Sequence, residues 1–407
     1  MASPSTNPGV GRTDGHGSTT RCGVAVVGAG PAGTVAALLL ARAGRRVVLL
    51  EKASLPRAKT CGGGLVRRAF GILPDDIELA TERGCHAIGL SFVGHELEFV
   101  VRREKPVVVM TMRASLDHSL VQAARQAGAD VREECTVRGL KRTPQGVHID
   151  TSNGPVEAEV VIGADGVLST VAKLAGWTKA PQSIPALEAE VQVPAEVRER
   201  FETARFDFEA SDQGYGWVFP KQHHLSCGVL TMRRGKSQLA SDLERYLAAV
   251  GVDQIERVDQ RGYLIPIRPR PGGAARDRVL LVGDAAGLAD PLTCEGISLA
   301  MWSGRLAAEA ILADDAHGAA SAYRNRLAAT ILPELRASRF LAWLVYFHPR
   351  IARALFRRRG QEMCEAVTDV FCGERTLRSV AFQPLHYLKL LRPRPFGRPN
   401  ATAIDMR

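Results

Sequence analysis

The sequence predicts a mixed α/β fold (α+β overall), in which a Rossmann-type domain is interleaved with an antiparallel β-sheet unit and followed by a C-terminal helical region. Three observations predict this fold. A glycine-rich loop stands between an apolar strand and a helix, short alternating strands fill residues 181–271, and basic sequence of helical character follows residue 326. The length of 407 residues suits two or three units, because a single core stops growing at about 250–300 residues.

The composition, with 45% hydrophobic and 24% charged residues, is that of an ordinary globular protein. The longest apolar runs, 35–41 and 341–347, are shorter than the ~20 residues that span a bilayer. The eight cysteines are scattered, without a CxxC pair or zinc-ligand spacing, so no metal site is predicted. Residues 1–20 lack an apolar signal core and are predicted to be a disordered tail. A cytoplasmic protein is therefore expected.

The net charge of +10 is concentrated in the C-terminal part, where residues 331–407 hold 14 Lys and Arg against 6 Asp and Glu. No nucleic-acid-binding motif accompanies this charge, so no nucleic acid partner is expected. Large apolar residues such as Trp343 and Phe347 stand among the arginines. Two interpretations remain: a helical subdomain with a solvated basic face, or a region in peripheral contact with the inner face of an anionic membrane.

The first βαβ unit carries a dinucleotide-binding pattern. A strand at 24–27 leads into the GxGxxG loop 28–33, a helix is expected over 34–43, and a second strand, 47–50, ends in Glu51. Gly28 allows the tight turn, Gly30 lets the backbone approach a pyrophosphate, and Gly33 lets the helix pack on the strand. The helix N-terminus favours phosphate, and Glu51 can accept hydrogen bonds from a ribose.

Further strands and helices follow in an order that completes this domain. Strands are expected at 107–112, 131–137, 159–162 and 278–282, and helices at 115–126 and from about 297 to 313. Between them, the short strands 187–193, 204–208, 215–219 and 225–230 predict an antiparallel sheet. The expected division is a tail (1–20), a discontinuous cofactor domain (21–84, 105–180 and 272–325), a β-rich substrate domain (85–104 and 181–271) and a basic helical region (326–407).

Three separated signatures, the glycine loop with Glu51, Asp165-Gly166, and Gly283-Asp284 followed by Gly296-Ile297, resemble those of FAD-dependent oxidoreductases of the p-hydroxybenzoate hydroxylase-like superfamily. The resemblance covers roughly residues 22–320 and implies that FAD is the cofactor. In that superfamily the residue matching Asp284 binds ribityl or ribose hydroxyls, and a helix N-terminus lies under the flavin pyrimidine. The implied FAD-binding residues are Gly28, Gly30, Pro31, Ala32, Gly33, Glu51, Lys52, Cys61, Gly62, Gly64, Arg113, Val137, Asp165, Gly166, Asp284, Gly296 and Ile297.

Two segments resemble the geranylgeranyl reductases of that superfamily, which hydrogenate isolated C=C bonds of isoprenoid chains. Residues 55–65 are similar to their PCGG segment, with Thr60 in place of proline, and residues 215–221 match a YxWxFP motif. Alternation along a strand puts Tyr215, Trp217 and Phe219 on one face, as an apolar wall for a prenyl chain. Ordinary packing of a sheet core is the other interpretation of these three aromatic residues.

An isolated alkene accepts a hydride only if a proton arrives nearly in step, so an acid is needed near the flavin. Cys61 is the candidate catalytic residue, either as proton donor or as a small residue that shapes the site. Cys294 and Glu295 are further candidates for a proton relay. His223 and His224 are expected in a surface turn, the alternative being contact with a polar head group.

The predicted activity is therefore FAD-dependent saturation of a prenyl chain in an isoprenoid small molecule or lipid. The alternatives are a flavin monooxygenase or halogenase acting on an aromatic substrate, and an electron-transfer flavoprotein that passes electrons to quinone. The electron donor is NADPH or reduced ferredoxin. The sequence leaves open the prenyl head group, the number of double bonds reduced and the oligomeric state.

Overall fold

The computed structural model describes residues 19–233, 238–314 and 316–381, and it confirms the mixed α/β architecture. A mostly parallel sheet in the order β17-β18-β11-β1-β2-β8 forms the Rossmann-type domain, with β10 and β9 continuing antiparallel from β11. Its strands are β1 Thr20–Val27, β2 Val47–Leu50, β8 Asp130–Arg132, β9 Val137–Arg142, β10 Val147–Thr151, β11 Val156–Gly163, β17 Ala275–Arg276 and β18 Val279–Leu281.

The glycine loop after β1 has the tight geometry that its sequence predicts. Gly28 has φ +104°, and a Cβ there would lie 2.5 Å from the carbonyl oxygen of Ala164, the residue after β11. A Cβ at Gly33 would lie 2.1 Å from the Gly28 carbonyl oxygen. The following helix, α1 (Pro31–Arg42), begins three residues earlier than predicted, because Pro31 occupies its first turn, where proline needs no N–H partner.

A second, mainly antiparallel sheet follows the order β16-β12-β15-β14-β13-β5-β6. Its strands are β5 Ala87–Phe92, β6 Glu98–Arg102, β12 Ser183–Gln192, β13 Ala204–Phe208, β14 Gly214–Pro220, β15 Leu225–Thr231 and β16 Arg257–Pro266. The pair β13 and β5 is parallel, which joins the strands from the two separate stretches of chain into one sheet. A small third sheet links β3 Gly64–Val66, β4 Arg83–Cys85 and β7 Val108–Met110.

Helices cover both sheets. The remaining ones are α2 Arg113–Gln126, α3 Thr170–Leu174, α4 Ala195–Glu199, α5 Leu239–Ala249, α6 Gly283–Ala286, α7 Ile297–Ala313, α8 Ala319–Ala329, α9 Ile331–Phe347, α10 Pro349–Cys372 and α11 Leu377–Ala381, with a 3₁₀ helix at Arg67–Ile72. Arg359 has non-helical angles and interrupts α10. One core lies around the Rossmann-type sheet, a second between the antiparallel sheet and α9–α11, and a third between that sheet and α5.

The structure differs from the sequence expectations at several places. The strand expected at 131–137 is two strands, β8 and β9, because the chain turns between them at Glu134, which has φ +51°. The helix α5 and the strand β16 lie within the β-rich stretch and were not predicted. Most of the expected tail 1–20, and residues 382–407 of the basic region, lie outside the described residues.

Candidate active site

A cleft of about 640 Å³ lies at the carboxyl ends of the parallel strands, where ligands of α/β folds bind. Most of the predicted FAD-binding residues line it. These are Gly28, Gly30, Pro31, Ala32, Glu51, Lys52, Cys61, Arg113, Val137, Asp165, Gly166, Asp284, Gly296 and Ile297. Gly33 lies instead at the packing contact of α1 with the glycine loop, and Gly62 and Gly64 line a neighbouring cavity.

The Glu51 side chain fixes the shape of the glycine loop. Its carboxylate accepts hydrogen bonds from the backbone N–H of Ala29 at 2.9 Å and of Ala53 at 3.2 Å. Arg57 Nε lies 3.3 Å from the same carboxylate. Glu51 is buried but lines the cleft, so it holds two backbone segments together at the edge where a ribose would bind.

Two guanidinium groups stand beside the glycine loop. Arg113, in the first turn of α2, pairs with the buried Asp117 through two contacts of 2.8 Å, and Arg57 Nη1 lies 3.3 Å from the same carboxylate. Burial opposes the charge on Arg113, but Asp117 and Cys61 outweigh it and raise the pKa of this guanidinium. Both guanidinium groups lie about 4 Å from where a Cβ on Gly30 would be, which places positive charge next to the α1 N-terminus.

The Asp165 carboxylate forms its hydrogen bonds within its own loop and the helix that follows. Its carboxylate accepts from Ser169 Oγ at 2.5 Å and from the Val171 N–H at 2.9 Å, which caps the short helix α3. The neighbouring Arg270 is 5% exposed and has a pKa that burial lowers. Its guanidinium donates to three backbone carbonyl groups, those of Ala285, Lys179 and Val167. The Asp165 loop is thereby tied to α6.

Asp284 and the α7 N-terminus form the opposite wall. Burial raises the pKa of Asp284, although Lys59 and Arg113 act against this rise. A Cβ on Gly296, the residue before α7, would lie 3.8 Å from Asp284 Oδ1, so the N-terminal end of this helix lies beside the carboxylate. The cleft thus combines a glycine loop, two guanidinium groups, a carboxylate and two helix N-termini. This set of groups fits a cofactor that carries a diphosphate and polyol hydroxyls.

A smaller cavity of about 80 Å³ opens beside the cleft. The predicted substrate-binding residues Tyr215, Trp217 and Phe219 line it, and each is at most 9% exposed. Both cavities share part of their lining, namely Cys61, Tyr263, Ile265, Cys294, Gly296 and Ile297. The Cys61–Gly64 loop therefore lies at the junction between the cofactor cleft and this aromatic cavity.

The Trp217 ring needs a glycine beneath it. A Cβ on Gly228, its cross-strand partner on β15, would lie 2.1 Å from the indole ring. The indole Nε1 is buried without a hydrogen-bond partner among the described residues, and a Cβ on Gly62 would lie 3.0 Å from it. Tyr215, in contrast, donates its hydroxyl to the Thr293 carbonyl at 2.5 Å. The aromatic wall is thus held between the antiparallel sheet and the 290–296 loop.

Tyr263 and Cys294 complete the junction of the two cavities. Sequence reasoning missed Tyr263, since β16 was not predicted; its ring lies 5.8 Å from Lys59 Nζ. Cys294 has φ +56°, a strained conformation for a residue with a side chain, and burial raises the pKa of its thiol. The strained Cys294 therefore presents a neutral thiol to both cavities. Glu295, the other relay candidate, instead pairs with Arg68 at 3.0 Å.

A group of buried charged residues lies beneath the Cys61–Gly64 loop, and sequence reasoning missed it. Glu188 on β12 is 4% exposed and accepts the Cys61 N–H at 2.7 Å and Ser226 Oγ at 3.0 Å. Lys221 is fully buried and donates to the Thr111 carbonyl at 2.7 Å. His224, expected in a surface turn, is buried, with Nε2 2.8 Å from Glu190. His223 is exposed.

Residues 21–324 match the FAD binding domain family. The chain is an FAD-dependent oxidoreductase, as the sequence signatures predict.

More specific relatives define the family. The chloroplastic geranylgeranyl diphosphate reductase of Oryza sativa subsp. japonica is 32% identical over 342 residues, covering 74% of this chain and 68% of that protein. Digeranylgeranylglycerophospholipid reductase 1 of Methanopyrus kandleri is 33% identical over 313 residues, covering 70% and 79%. The chain belongs to the geranylgeranyl reductase family. A solved geranylgeranyl bacteriochlorophyll reductase-like structure from Thermoplasma acidophilum shares the fold, with TM-score 0.70, 23% identity and coverage of 92% and 96%.

The helix α9 connects the site to the surface. On its buried face, Ser338 Oγ lies 2.8 Å from Asp290 Oδ1, and Tyr346 donates its hydroxyl to the Leu292 carbonyl. On its other face, large apolar side chains are exposed. These are Phe340 (41%), Trp343 (50%) and Phe347 (47%), with Ile351 (52%) following in α10. We call these four residues the apolar patch. Exposed arginines, Arg336, Arg339 and Arg350, lie among them.

Proposed function

We propose that this protein saturates isolated C=C bonds of a prenyl chain, with FAD as the hydride carrier. The observation that carries the proposal is the junction of the two cavities: an aromatic cavity opens onto the cofactor cleft at Cys61, Tyr263 and Cys294. Such a cavity offers an alkene an apolar aromatic wall. The relatives are named for different prenyl substrates, a diphosphate and a glycerophospholipid, so no head group is assigned.

Each group at the junction has a task that follows from its position. FAD, when bound in the cleft and reduced, supplies the hydride. Tyr215, Trp217 and Phe219 exclude water and orient the chain. Cys61 lines both cavities and is the candidate for holding or donating the proton at its Sγ atom, which accepts the Gly63 N–H at 3.5 Å. The neutral Cys294 thiol is the second candidate, on the other side of the junction.

The size of the aromatic cavity indicates how a long chain binds. Its volume of about 80 Å³ is well below the ~300–1,000 Å³ of a pocket that encloses a drug-sized ligand. The cavity therefore accommodates one segment of a prenyl chain at a time in this conformation. Phe206 and Phe371 also line this cavity, and movement of their side chains would extend it.

The deciding experiment is anaerobic turnover. The purified flavoprotein is reduced with dithionite and mixed with geranylgeranyl diphosphate or a membrane lipid extract, and products are analysed by mass spectrometry. Flavin reoxidation with products heavier by 2, 4 or 6 Da is the expected result, since each saturated bond adds two hydrogens. Flavin that stays reduced until oxygen is admitted, without a mass gain, would refute prenyl reduction and favour the monooxygenase or halogenase alternative.

The electron donor is a separate proposal, with NADPH and reduced ferredoxin as the two candidates. The basic net charge of +10 favours an acidic protein donor such as ferredoxin. Stopped-flow reduction of the bound flavin by each donor tests this preference. A ferredoxin rate that falls steeply with ionic strength supports the protein donor, and fast, salt-independent reduction by NADPH contradicts it.

We further propose that the apolar patch contacts an anionic membrane surface. Phe340, Trp343 and Phe347 are spaced at i, i+3 and i+7, so they share one face of α9, and exposed arginines flank them. Within residues 19–233, 238–314 and 316–381, no helix combines the length and apolar character that a membrane crossing requires. Co-sedimentation with vesicles of anionic lipid, compared with neutral lipid, tests the contact; equal recovery in the supernatant with both would refute it.

A further inference from the structure

The Cys61–Gly64 loop rests directly on buried charge. Glu188 Oε2 accepts the Cys61 N–H at 2.7 Å, across 127 residues of sequence. A Cβ on Gly63 would lie 2.3 Å from Lys221 Nζ and 2.0 Å from the Thr111 carbonyl oxygen. The loop backbone at Gly63 is therefore in close contact with the Lys221 side chain. Glu188 is thus the side chain that fixes the backbone of the residue standing at the junction of the two cavities.

Sheet register explains why Glu188 lies there. Trp217, Gly228, Glu188 and Arg261 are cross-strand partners along one row of β14, β15, β12 and β16. Because side chains alternate along strands, all four belong to one face of the sheet. The Trp217 ring lies over Gly228, the glycine of this row, and the Glu188 carboxyl group follows on the next strand.

Titratable and charged groups face Glu188 from each neighbouring element. On its own strand is Glu190, which adjoins His224. The others are Lys221 after β14, Arg261 and Tyr263 on β16, and Cys61 in the loop above. Burial, followed by the charge of Glu190, raises the pKa of Glu188 to about 7; Ser226, the Cys61 N–H and Lys221 act in the opposite direction. The carboxyl group consequently changes charge in the neutral range.

We propose that Glu188 is a positioning residue that holds Cys61 between the cofactor cleft and the aromatic cavity, and that gain or loss of its proton switches the strength of this hold. A charged acceptor forms a hydrogen bond roughly twice as strong as a neutral one. Ionised Glu188 therefore fixes the Cys61 backbone, and protonated Glu188 lets it move. The effect of this switch on alkene reduction rests on the proposed function, whereas the hydrogen bond from the Cys61 N–H to Glu188 does not.

Backbone amide hydrogen exchange, measured by residue-resolved NMR on the purified flavoprotein, reports the strength of the Cys61–Glu188 hydrogen bond without any substrate. The protection factor of the Cys61 N–H, corrected for the intrinsic pH dependence of exchange, should rise about fivefold from pH 6 to pH 8. The same chain offers a matched control, because Glu133 accepts the Leu55 N–H at 2.5 Å. Burial acts to raise the pKa of Glu133, but the hydrogen bonds from the Leu55 N–H and Arg125 have the larger effect, and the pKa is lowered. The protection factor of the Leu55 N–H should therefore stay constant over this pH range.

Glu188→Gln should abolish the rise at Cys61 and leave Leu55 unchanged. Two further variants keep the proposal testable if that protein folds poorly. Ser226→Ala removes a hydrogen bond to the ionised form and should move the midpoint to higher pH, whereas Glu190→Gln removes a like charge and should move it to lower pH. A flat Cys61 profile in the unaltered protein, or a midpoint that neither variant moves, would overturn the proposal.

The two proposals fail separately. A pH-dependent hold on Cys61 without any prenyl reduction would refute the proposed function and leave the positioning role intact. Prenyl reduction with a flat Cys61 protection profile would do the reverse.

Discussion

Replacing Glu188 by glutamine should change how the stability of this protein depends on pH. The folded protein raises the pKa of this carboxyl group from 4.5 to about 7. Between these two values the folded state binds more protons than the unfolded state, so the free energy of unfolding falls as the pH rises from about 4.5 to 7. Glutamine stays neutral, keeps an oxygen that can accept the Cys61 N–H, and removes this pH dependence.

The size of the effect follows from the shift. Each pKa unit corresponds to about 1.4 kcal/mol, so a shift of this size amounts to about 3 kcal/mol. The group is 4% exposed, so solvent screening does not reduce this value greatly. The stability of Glu188→Gln relative to the unaltered protein should therefore increase by about 3 kcal/mol between pH 4.5 and pH 7.5, and should not increase further above that.

Urea unfolding of the cofactor-free protein at several pH values is the assay. Glu133→Gln is the matched control with the opposite sign, since the folded protein lowers the pKa of that carboxyl group. Removing Glu133 should therefore cost stability at neutral pH, and the loss should shrink as the pH falls through its folded pKa. A stability difference between Glu188→Gln and the unaltered protein that is constant from pH 5 to pH 8 would refute the reasoning.

Three other predictions concern the cofactor, the substrate and the surface. Asp284→Ala should yield protein largely free of flavin, measured by bound-flavin absorbance, because it removes the carboxylate of the cleft wall; full FAD occupancy would contradict its cofactor role. Trp217→Ala should lower kcat/KM more for long than for short prenyl chains, since apolar wall area is worth about 25 cal/mol per Å²; equal losses would count against a chain-binding wall. Trp343→Ala combined with Phe347→Ala should lower binding to anionic vesicles at least about fivefold, whereas Val100→Ala, an exposed apolar residue on β6, should not; unchanged binding of the double variant would exclude the patch.

The sequence predicts the Rossmann-type part of the fold well because its signals are local. The loop from Gly28 to Gly33, its flanking strands and Glu51 lie within about thirty residues and act on one another directly. The shared face of Tyr215, Trp217 and Phe219 likewise follows from alternation within one strand, and all three line one cavity in the structure. Their roles in binding remain predictions.

The buried charged residues could not be found in this way. Glu188 and Glu190 alternate with apolar residues on β12, which is the usual pattern of a strand with one solvated face. What buries Glu188 is a loop 127 residues away in sequence, and the register of four strands brings the two together. Only the assembled sheet identifies this face as part of the site.

Under the proposed function, the helix α9 has a consequence for how a prenyl lipid would reach the site. One face of the helix bonds the loop 290–296 through Ser338 and Tyr346, and the other face carries the apolar patch. An α-helix with its side chains is about 10–12 Å in diameter, so a bilayer resting on the patch would lie one helix away from this loop. Each methylene group drawn from hydrocarbon into water costs about 0.8 kcal/mol. A prenyl tail that passed from such a bilayer to the loop would cross about one helix diameter, so close apposition of the patch to the bilayer would limit how much of the chain is hydrated.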